Sequence, residues 1–273
     1  MSTRARRRPG RLLLVVLLAV VWMLPLWFML VTALSPRADL AAGRVTLLPT
    51  TIDLGGFTGA LTDFPVLTWL QNSLAIAVVA VVITVVVDVV AGYVLAKHRF
   101  RGRTVVFLLI LATLMIPVQV LLVPQFRLVA DLGLINSYWA VIVPRAAEAF
   151  GVFLARQYFL SLPDELLEAA ELDGAGPLRT LWSVVLPLSR PLIAVLVVMT
   201  FMYRWNEFAW PLVALRDPAL YTLPVGLSFL QQQFTTDYPA LMAAALLSAL
   251  PVLVLFGFAQ RHFVAGISRS GLK

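Results

Sequence analysis

Residues 12–34, 104–126 and 239–260 contain no charged side chain. Each run is close to the ~20 residues a helix needs to cross a ~30 Å hydrocarbon core at ~1.5 Å per residue. Three further apolar stretches are interrupted by charge: about 71–96 by Asp88, 138–158 by Arg145 and Glu148, and 191–213 by Arg204 and Glu207. The pattern predicts an all-α integral membrane protein with six transmembrane helices. A β-barrel needs short segments alternating apolar and polar residues, and these Leu, Val and Ala runs do not alternate. Composition agrees: 61% of the 273 residues are hydrophobic, 13% are charged and the mean hydropathy is +0.92.

The arginines at 4, 6, 7, 8 and 11 ahead of the first run resemble the start of a signal peptide, but the apolar run continues through Pro25 and Trp27 to Leu34. That exceeds the ~7–15 residues of a cleavable hydrophobic region, so an uncleaved span is expected. The absence of cysteine excludes a disulfide framework, thiol catalysis and a Cys zinc site. A net charge of +7 invites a nucleic-acid reading. The basic residues instead sort by side: Arg4, Arg6, Arg7, Arg8 and Arg11; Lys97, Arg99, Arg101 and Arg103; Arg156, Arg179 and Arg190; Arg261, Arg269 and Lys273. This is the positive-inside pattern of a multi-pass protein of the cytoplasmic membrane with both termini in the cytoplasm, and no nucleic-acid partner is needed to explain it. The basic N-terminus covers 1–11 and the tail 266–273, with the transmembrane region at 12–265 between them.

Between the fourth and fifth spans lies a polar island, about 161–190, in an otherwise membrane-like sequence. Ser161 is expected to cap a helix whose first turn accepts Pro163 and gains from Asp164 and Glu165 at the positive end of the dipole. Leu162, Leu166, Ala169 and Ala170 fall on one stripe, and Glu165, Glu168 and Glu171 on another. Gly174 and Gly176 are expected to end that helix and Pro177 to start a second one running through Leu186, closed by Pro187 and Pro191. A surface hairpin of this kind has little to do in lipid and is suited to binding a partner. The long outer segments at about 35–70 and 214–238 carry turn-forming Gly and Pro together with Phe57, Phe64 and Trp69, and suit external docking.

Glu168-Ala169-Ala170 followed by Gly174, and later Leu186-Pro187, resemble the EAA loop of binding-protein-dependent ABC importer permeases. Further along the chain, Ala91-Gly92-Tyr93, Phe100-Arg101-Gly102-Arg103, Leu132-Gly133-Leu134-Ile135-Asn136-Ser137-Tyr138-Trp139, Trp205-Asn206-Glu207-Phe208, Tyr221-Thr222-Leu223-Pro224 and Gln260-Arg261-His262-Phe263-Val264-Ala265-Gly266 are similar to the carbohydrate branch, in its smaller six-helix subunit. The resemblance covers roughly residues 10–273. It implies the type I importer permease fold and a heteromeric assembly: this chain, a second permease subunit, an ATP-binding cassette ATPase dimer and an extracytoplasmic solute-binding protein that delivers a sugar. It also implies that Glu168, Ala169, Ala170, Asp173, Gly174 and Pro187 couple the spans to the ATPases. The chain binds no cofactor in this picture. It lacks a GxxxxGK[ST] loop, so ATP and Mg are used by the ATPase subunits and the chain is a transport subunit rather than an enzyme.

Asp88 stands about nine residues, roughly 13 Å, before Lys97, inside the hydrocarbon region. An Asp at a helix centre costs about 2.5–3.5 kcal/mol to insert, which neighbouring Val and Ile offset. It is expected either to line the pathway or to pair with a helix of the partner subunit. Arg145 with Glu148, and Arg204 with Glu207, stand three apart and suit ion pairs along one helix face. Sugars bind through hydroxyl hydrogen bonds and stacking on aromatic faces, which makes Tyr203, Trp205, Asn206 and Glu207 pathway candidates. His98 and His262 sit among arginines as basic anchors, and no metal site is expected. Polyols, glycerol phosphate and peptides are alternative solutes. A proton-driven carrier titrating Asp88 and Glu207 is the rival from another class, and such a carrier has no use for the hairpin.

Overall fold

The computed structural model describes residues 9–44, 46–49, 51–231 and 236–270; for Pro9, Arg11, Ala259 and residues 261–270 it describes the backbone alone. Arg4, Arg6, Arg7 and Arg8 of the expected basic N-terminus, and residues 271–273 of the expected tail, lie outside the described residues, as does the side chain of His262. Among the described residues every regular element is helical. Helices Pro9–Ala33, Val66–Lys97 and Tyr238–Ser270 each contain an uninterrupted stretch long and apolar enough to cross a membrane. Three bent pairs meet the same criterion of length and apolarity when each is taken together, which brings the candidate spans to at most six: Arg103–Thr113 with Val118–Asp131 at 94°, Tyr138–Arg145 with Ala149–Leu160 at 44°, and Pro177–Leu188 with Arg190–Trp205 at 82°.

Proline accounts for the interruptions. The run at 104–126, unbroken in its apolarity, is not one rod, because Pro117 has no N–H to return to the Thr113 carbonyl and its ring would collide with it. The backbone tightens first, with Leu114, Met115 and Ile116 donating three residues back, and then turns. Pro144 likewise cannot serve the Ala140 carbonyl, and the indole of Trp210 donates to that oxygen at 2.9 Å instead. The stretch 191–213 also differs from a single span. Helix Arg190–Trp205 stops, and a new helix begins at Ala209 so that Pro211 falls in its first turn.

The chain forms two compact units. The first takes in the described residues up to Leu67 together with the described residues of 227–251. It is held where Gly56 meets the first and last helices: a Cβ there would stand 2.5 Å from the Ala33 carbonyl oxygen and 2.9 Å from that of Pro239. Arg37 bridges Asp237 at 2.6 Å and Asp63 at 3.7 Å in the same unit.

The second unit spans Thr68–Gly226 and the described residues from Val252 onward. Ile76, Ala80, Val129, Ala140, Val141, Ile142, Trp210, Ala214 and Leu215 form its core. Buried Asn72 ties three segments together: its amide donates to the carbonyls of Ala219 at 2.8 Å and Tyr221 at 2.9 Å, and its oxygen accepts the Tyr138 hydroxyl at 2.6 Å. Trp69 adds a bond to the Pro218 carbonyl at 3.0 Å. Gly226 lies flat on the Trp69 ring, where any Cβ would collide. Replacing Asn72 by Leu leaves these buried acceptors and the hydroxyl unsatisfied. The expected cost is about 2–4 kcal/mol, read as a lowered thermal midpoint in detergent, whereas an unchanged midpoint would show that the three segments hold together without it.

Candidate functional site

The polar island folds as a helical hairpin, Glu165–Leu172 followed by Pro177–Leu188. Its turn is set by Gly174, whose φ of +75° is cheap only for glycine. Gly174 donates to Glu171 O and Ala175 to Ala170 O, both at 2.9 Å, the paired bonds that close a helix through a left-handed residue. Asp173 contributes its backbone amide, which donates to Ala169 O at 3.0 Å. Pro177 occupies the first helical position. Pro187 does not close the second helix. The preceding turn, Leu181–Val185, widens to the π form, which relieves the contact between the Pro187 ring and the Ser183 carbonyl, and the helix runs on to Leu188.

One local expectation is corrected. Ser161 ends the preceding helix, Ala149–Leu160, its hydroxyl donating to Tyr158 O at 2.6 Å, and does not cap the hairpin. Lys97 takes over the entry instead, donating 2.6 Å bonds to Leu162 O and to the Asp164 carboxylate, and holds the Asp164 carboxyl below its ordinary value. The apolar residues of the hairpin divide between core and solvent. Ala170, Thr180, Leu181 and Val185 face inward, while Leu166, Leu172, Leu178 and Trp182 are exposed, Leu172 at 89% and Leu178 at 72%. An apolar set displayed on a charged hairpin is the composition of a docking surface. Glu168 and Glu171 line a polar cavity of about 240 Å³ with Tyr93, Lys97 and Thr180, and neither makes an ion pair among the described residues. Ala169 and Pro187 are exposed.

The second feature lies at the break of the fourth span. A helix interrupted at Ala146–Glu148 frees a carbonyl on one side and an N–H on the other, and lipid satisfies neither. The Arg145 carbonyl accepts from the Thr84 hydroxyl at 3.1 Å and from the Arg204 guanidinium. The Glu148 N–H donates to Asp88 Oδ1 at 2.9 Å, so a carboxylate from the second span caps the helix Ala149–Leu160. Gly151 makes the approach possible, since a Cβ there would occupy the place of Asp88 Oδ2. Asp88 is 1% exposed.

Of the two ion pairs expected at a spacing of three, Arg204–Glu207 forms, and the other charges pair across helices. Arg204 reaches Glu148 at 3.1 Å and Glu207 at 3.5 Å, and Arg145 pairs with Glu207 at 3.5 Å; an Arg145–Glu148 pair is absent among the described residues. Tyr203 lies beneath both guanidinium groups, 5.0 Å from Arg145 and 5.7 Å from Arg204 to its ring centre, and its hydroxyl accepts from Arg145. Tyr203, Asn206 and Glu207 line a cavity of about 750 Å³ with Gln119, Arg145 and Trp210. Trp205 does not line it: the ring is 4% exposed and stacks on Phe201 at 5.4 Å. Asp88 lies on a smaller pocket of about 110 Å³ with Glu148 and Thr200. The sequence reading missed Lys97, Gln119 and Thr84 as site residues. For Thr84 the available signal was Pro144, which announces an irregular fourth span whose freed backbone groups need partners; no local signal marks Lys97 or Gln119.

Comparison with known proteins bears on what these features serve. Residues 88–269 match the family of binding-protein-dependent transport system inner membrane components. The arabinooligosaccharides transport system permease protein AraQ of Halalkalibacterium halodurans is 37% identical over 259 residues, covering 94% of this chain and 93% of that one. The sn-glycerol-3-phosphate transport system permease protein UgpE of Pectobacterium atrosepticum is 36% identical over 266 residues, covering 94% and 93%. The crystal structure of a bacterial ABC transporter involved in the import of the acidic polysaccharide alginate contains a chain that superposes with a TM-score of 0.84 at 28% identity, over 96% of this chain and 99% of that one.

Because Arg204 has 0% side-chain exposure and serves two carboxylates and a carbonyl, Arg204→Met strands buried charge. The expected destabilisation is about 3–5 kcal/mol, measured by thermal unfolding of the purified protein. Glu148→Gln, at a carboxylate 37% exposed, is expected to cost clearly less.

Proposed function

This chain belongs to the family of binding-protein-dependent transport system inner membrane components, and we propose that it is one wall of the pathway of an ATP-driven sugar importer. Its partners in this reading are a second permease, a pair of ATPases that use ATP and Mg, and an extracytoplasmic binding protein that delivers the solute. Both termini and the hairpin within 161–190 face the cytoplasm, following the distribution of Lys and Arg. The hairpin seats on the ATPases through Glu168, Ala169, Ala170, Asp173, Gly174 and Pro187. The cavity lined by Tyr203, Asn206 and Glu207 belongs to the translocation pathway; Trp205 packs behind it, and Asp88 supports it by holding the break of the fourth span.

The observation that carries the reading is the hairpin itself: an element closed by a left-handed Gly174, presenting Leu172, Leu178 and Trp182 to solvent and carrying Glu168 and Glu171, which make no ion pair among the described residues. A proton-driven carrier has no use for such an element, and the capping role of Asp88 accounts for its burial without invoking a proton path.

Relatives named for arabinooligosaccharides and for glycerol phosphate are of near-equal similarity, so the solute is argued from the cavity. Among the described lining residues the charged ones are Arg145 and Glu207, and these neutralise each other at 3.5 Å. A phosphate needs an uncommitted cation or a nest of N–H groups. The cavity offers paired charges, amides at Gln119 and Asn206, and the aromatic faces of Tyr203 and Phe208, the equipment for an uncharged sugar.

Mild-detergent purification of the tagged chain, with mass spectrometry of what remains bound, is expected to recover a second permease and an ATPase. Recovery of this chain alone, with uptake that follows the proton gradient when ATP is depleted, would contradict the importer. Gly174→Asp places a side chain at φ +75°, a strain of about 1–2 kcal/mol local to the turn. The variant is expected to insert and assemble normally but to lose ATP-driven uptake, and normal uptake would remove the hairpin from the coupling role.

A further inference from the structure

We propose that Lys97 is a positioning residue for transport, the strut that passes movement of the hairpin Glu165–Leu188 to the second span. The inference rests on the importer reading above and names the route by which coupling enters the membrane region. Lys97 is the last residue of the helix Val66–Lys97, and its side chain is 7% exposed. Its ammonium group makes two 2.6 Å bonds to the segment that leads into the hairpin, one to the Leu162 carbonyl and one to Asp164 Oδ1. Asp164 is 75% exposed, so the bond to the carbonyl is the sheltered one. A lysine serves because it offers several donors from one point, and an apolar side chain of similar length would leave the carbonyl unmet.

The same end of the second span is fastened a second time. Arg156 donates from Nε to the Leu95 carbonyl at 3.2 Å and lies over the Phe107 ring, 4.1 Å from its centre. Gly92 lets the helix Ala149–Leu160 approach closely, since a Cβ there would stand 2.5 Å from the Ala155 methyl and 2.9 Å from the Arg156 backbone nitrogen. The groups facing Lys97 in the polar cavity are Tyr93, His98, Asp164, Glu168 and Glu171, and of these Asp164 holds it.

What makes the fastening consequential is the helix above it. Val66–Lys97 is continuous for 32 residues, and Asp88 sits on it roughly 13 Å from Lys97. A displacement of the hairpin delivered at Lys97 therefore reaches Asp88, where the carboxylate holds the Glu148 N–H at the break of the fourth span beside Arg204 and Glu207. The hairpin, the strut, the rod and the break form one chain of direct contacts, which is the physical requirement for coupling two distant sites through rigid elements.

The test uses the complex of this chain with its partner permease, ATPases and binding protein in proteoliposomes, and reads solute imported per ATP hydrolysed. Lys97→Met is expected to lower that ratio by about tenfold while the ATPase still copurifies, and Lys97→Arg to restore most of it. A purely structural role would reduce yield or thermal stability and leave the ratio of the assembled complex unchanged, and that result overturns the proposal. Should Lys97→Met fail to assemble, Asp164→Ala decides. Its exposed position spares folding, and removal of one of the two bonds is expected to lower the ratio by about twofold, so an unchanged ratio there overturns the strut. Wild-type uptake that needs no ATP overturns the importer reading itself, whereas ATP-driven wild-type uptake with unaffected variants overturns the strut alone.

Discussion

A helix broken inside a hydrocarbon layer must find partners for the backbone groups it releases, because lipid supplies none. In this chain the break at Ala146–Glu148 meets that demand with side chains from two other helices: Asp88 takes the freed N–H of Glu148, and Thr84 and Arg204 take the freed carbonyl of Arg145. Once Arg204 is recruited for the carbonyl it needs counter-charges, which Glu148 and Glu207 supply, and Glu207 in turn recruits Arg145. The charges that look scattered through three apolar runs are one connected arrangement that answers the break at Ala146–Glu148 in the fourth span.

The same constraint shapes the cavity. Helix Arg190–Trp205 stops short of Pro211, leaving Asn206 and Glu207 in a non-helical stretch that lines the same cavity as Gln119 and Tyr203. Irregular backbone at membrane depth is tolerated where it is buried in protein or lines a polar space, and both conditions hold here. The cluster therefore has two faces. One face fixes the broken helices against each other, and the other presents a charge-balanced surface to the 750 Å³ cavity. On the proposed reading, the pathway is built from the places where helices fail, and the stiffness needed to move it comes from the unbroken rod Val66–Lys97 and the closed hairpin.

Much of this was legible in the sequence, for identifiable reasons. The three unbroken apolar helices follow from runs of apolar residues, whereas the bends in the other stretches do not show in apolarity. The hairpin turn followed from Gly174 and Pro177, residues whose backbone preferences are strong enough to survive any context. Context decided the rest. Ser161 has the chemistry of an N-cap, but Lys97 from a distant segment occupies the entry to the hairpin, and nothing local announces that. Spacing of three suggested that Arg145 pairs with Glu148; the break between them turns the helix and sends Arg145 to Glu207. Trp205 looked like a stacking platform for sugar, yet it is buried and stacks on Phe201 one turn back on its own helix. The apolar stripe of the first hairpin helix was assigned by periodicity, which identifies a face without saying whether the chain's own core or a partner covers it. Leu166 and Leu172 are exposed here.

The central claim is that this exposed apolar face of the hairpin rests on an ATPase. The chain contains no cysteine, so Leu172→Cys introduces its single thiol, at a position 89% exposed. Cross-linking from that thiol with a short photoactivatable maleimide in native membranes is predicted to capture the ATP-binding subunit. An adduct with the external binding protein, or labelling of the intact cell by a membrane-impermeant reagent with no ATPase adduct, would place the hairpin on the wrong side of the membrane and contradict the account.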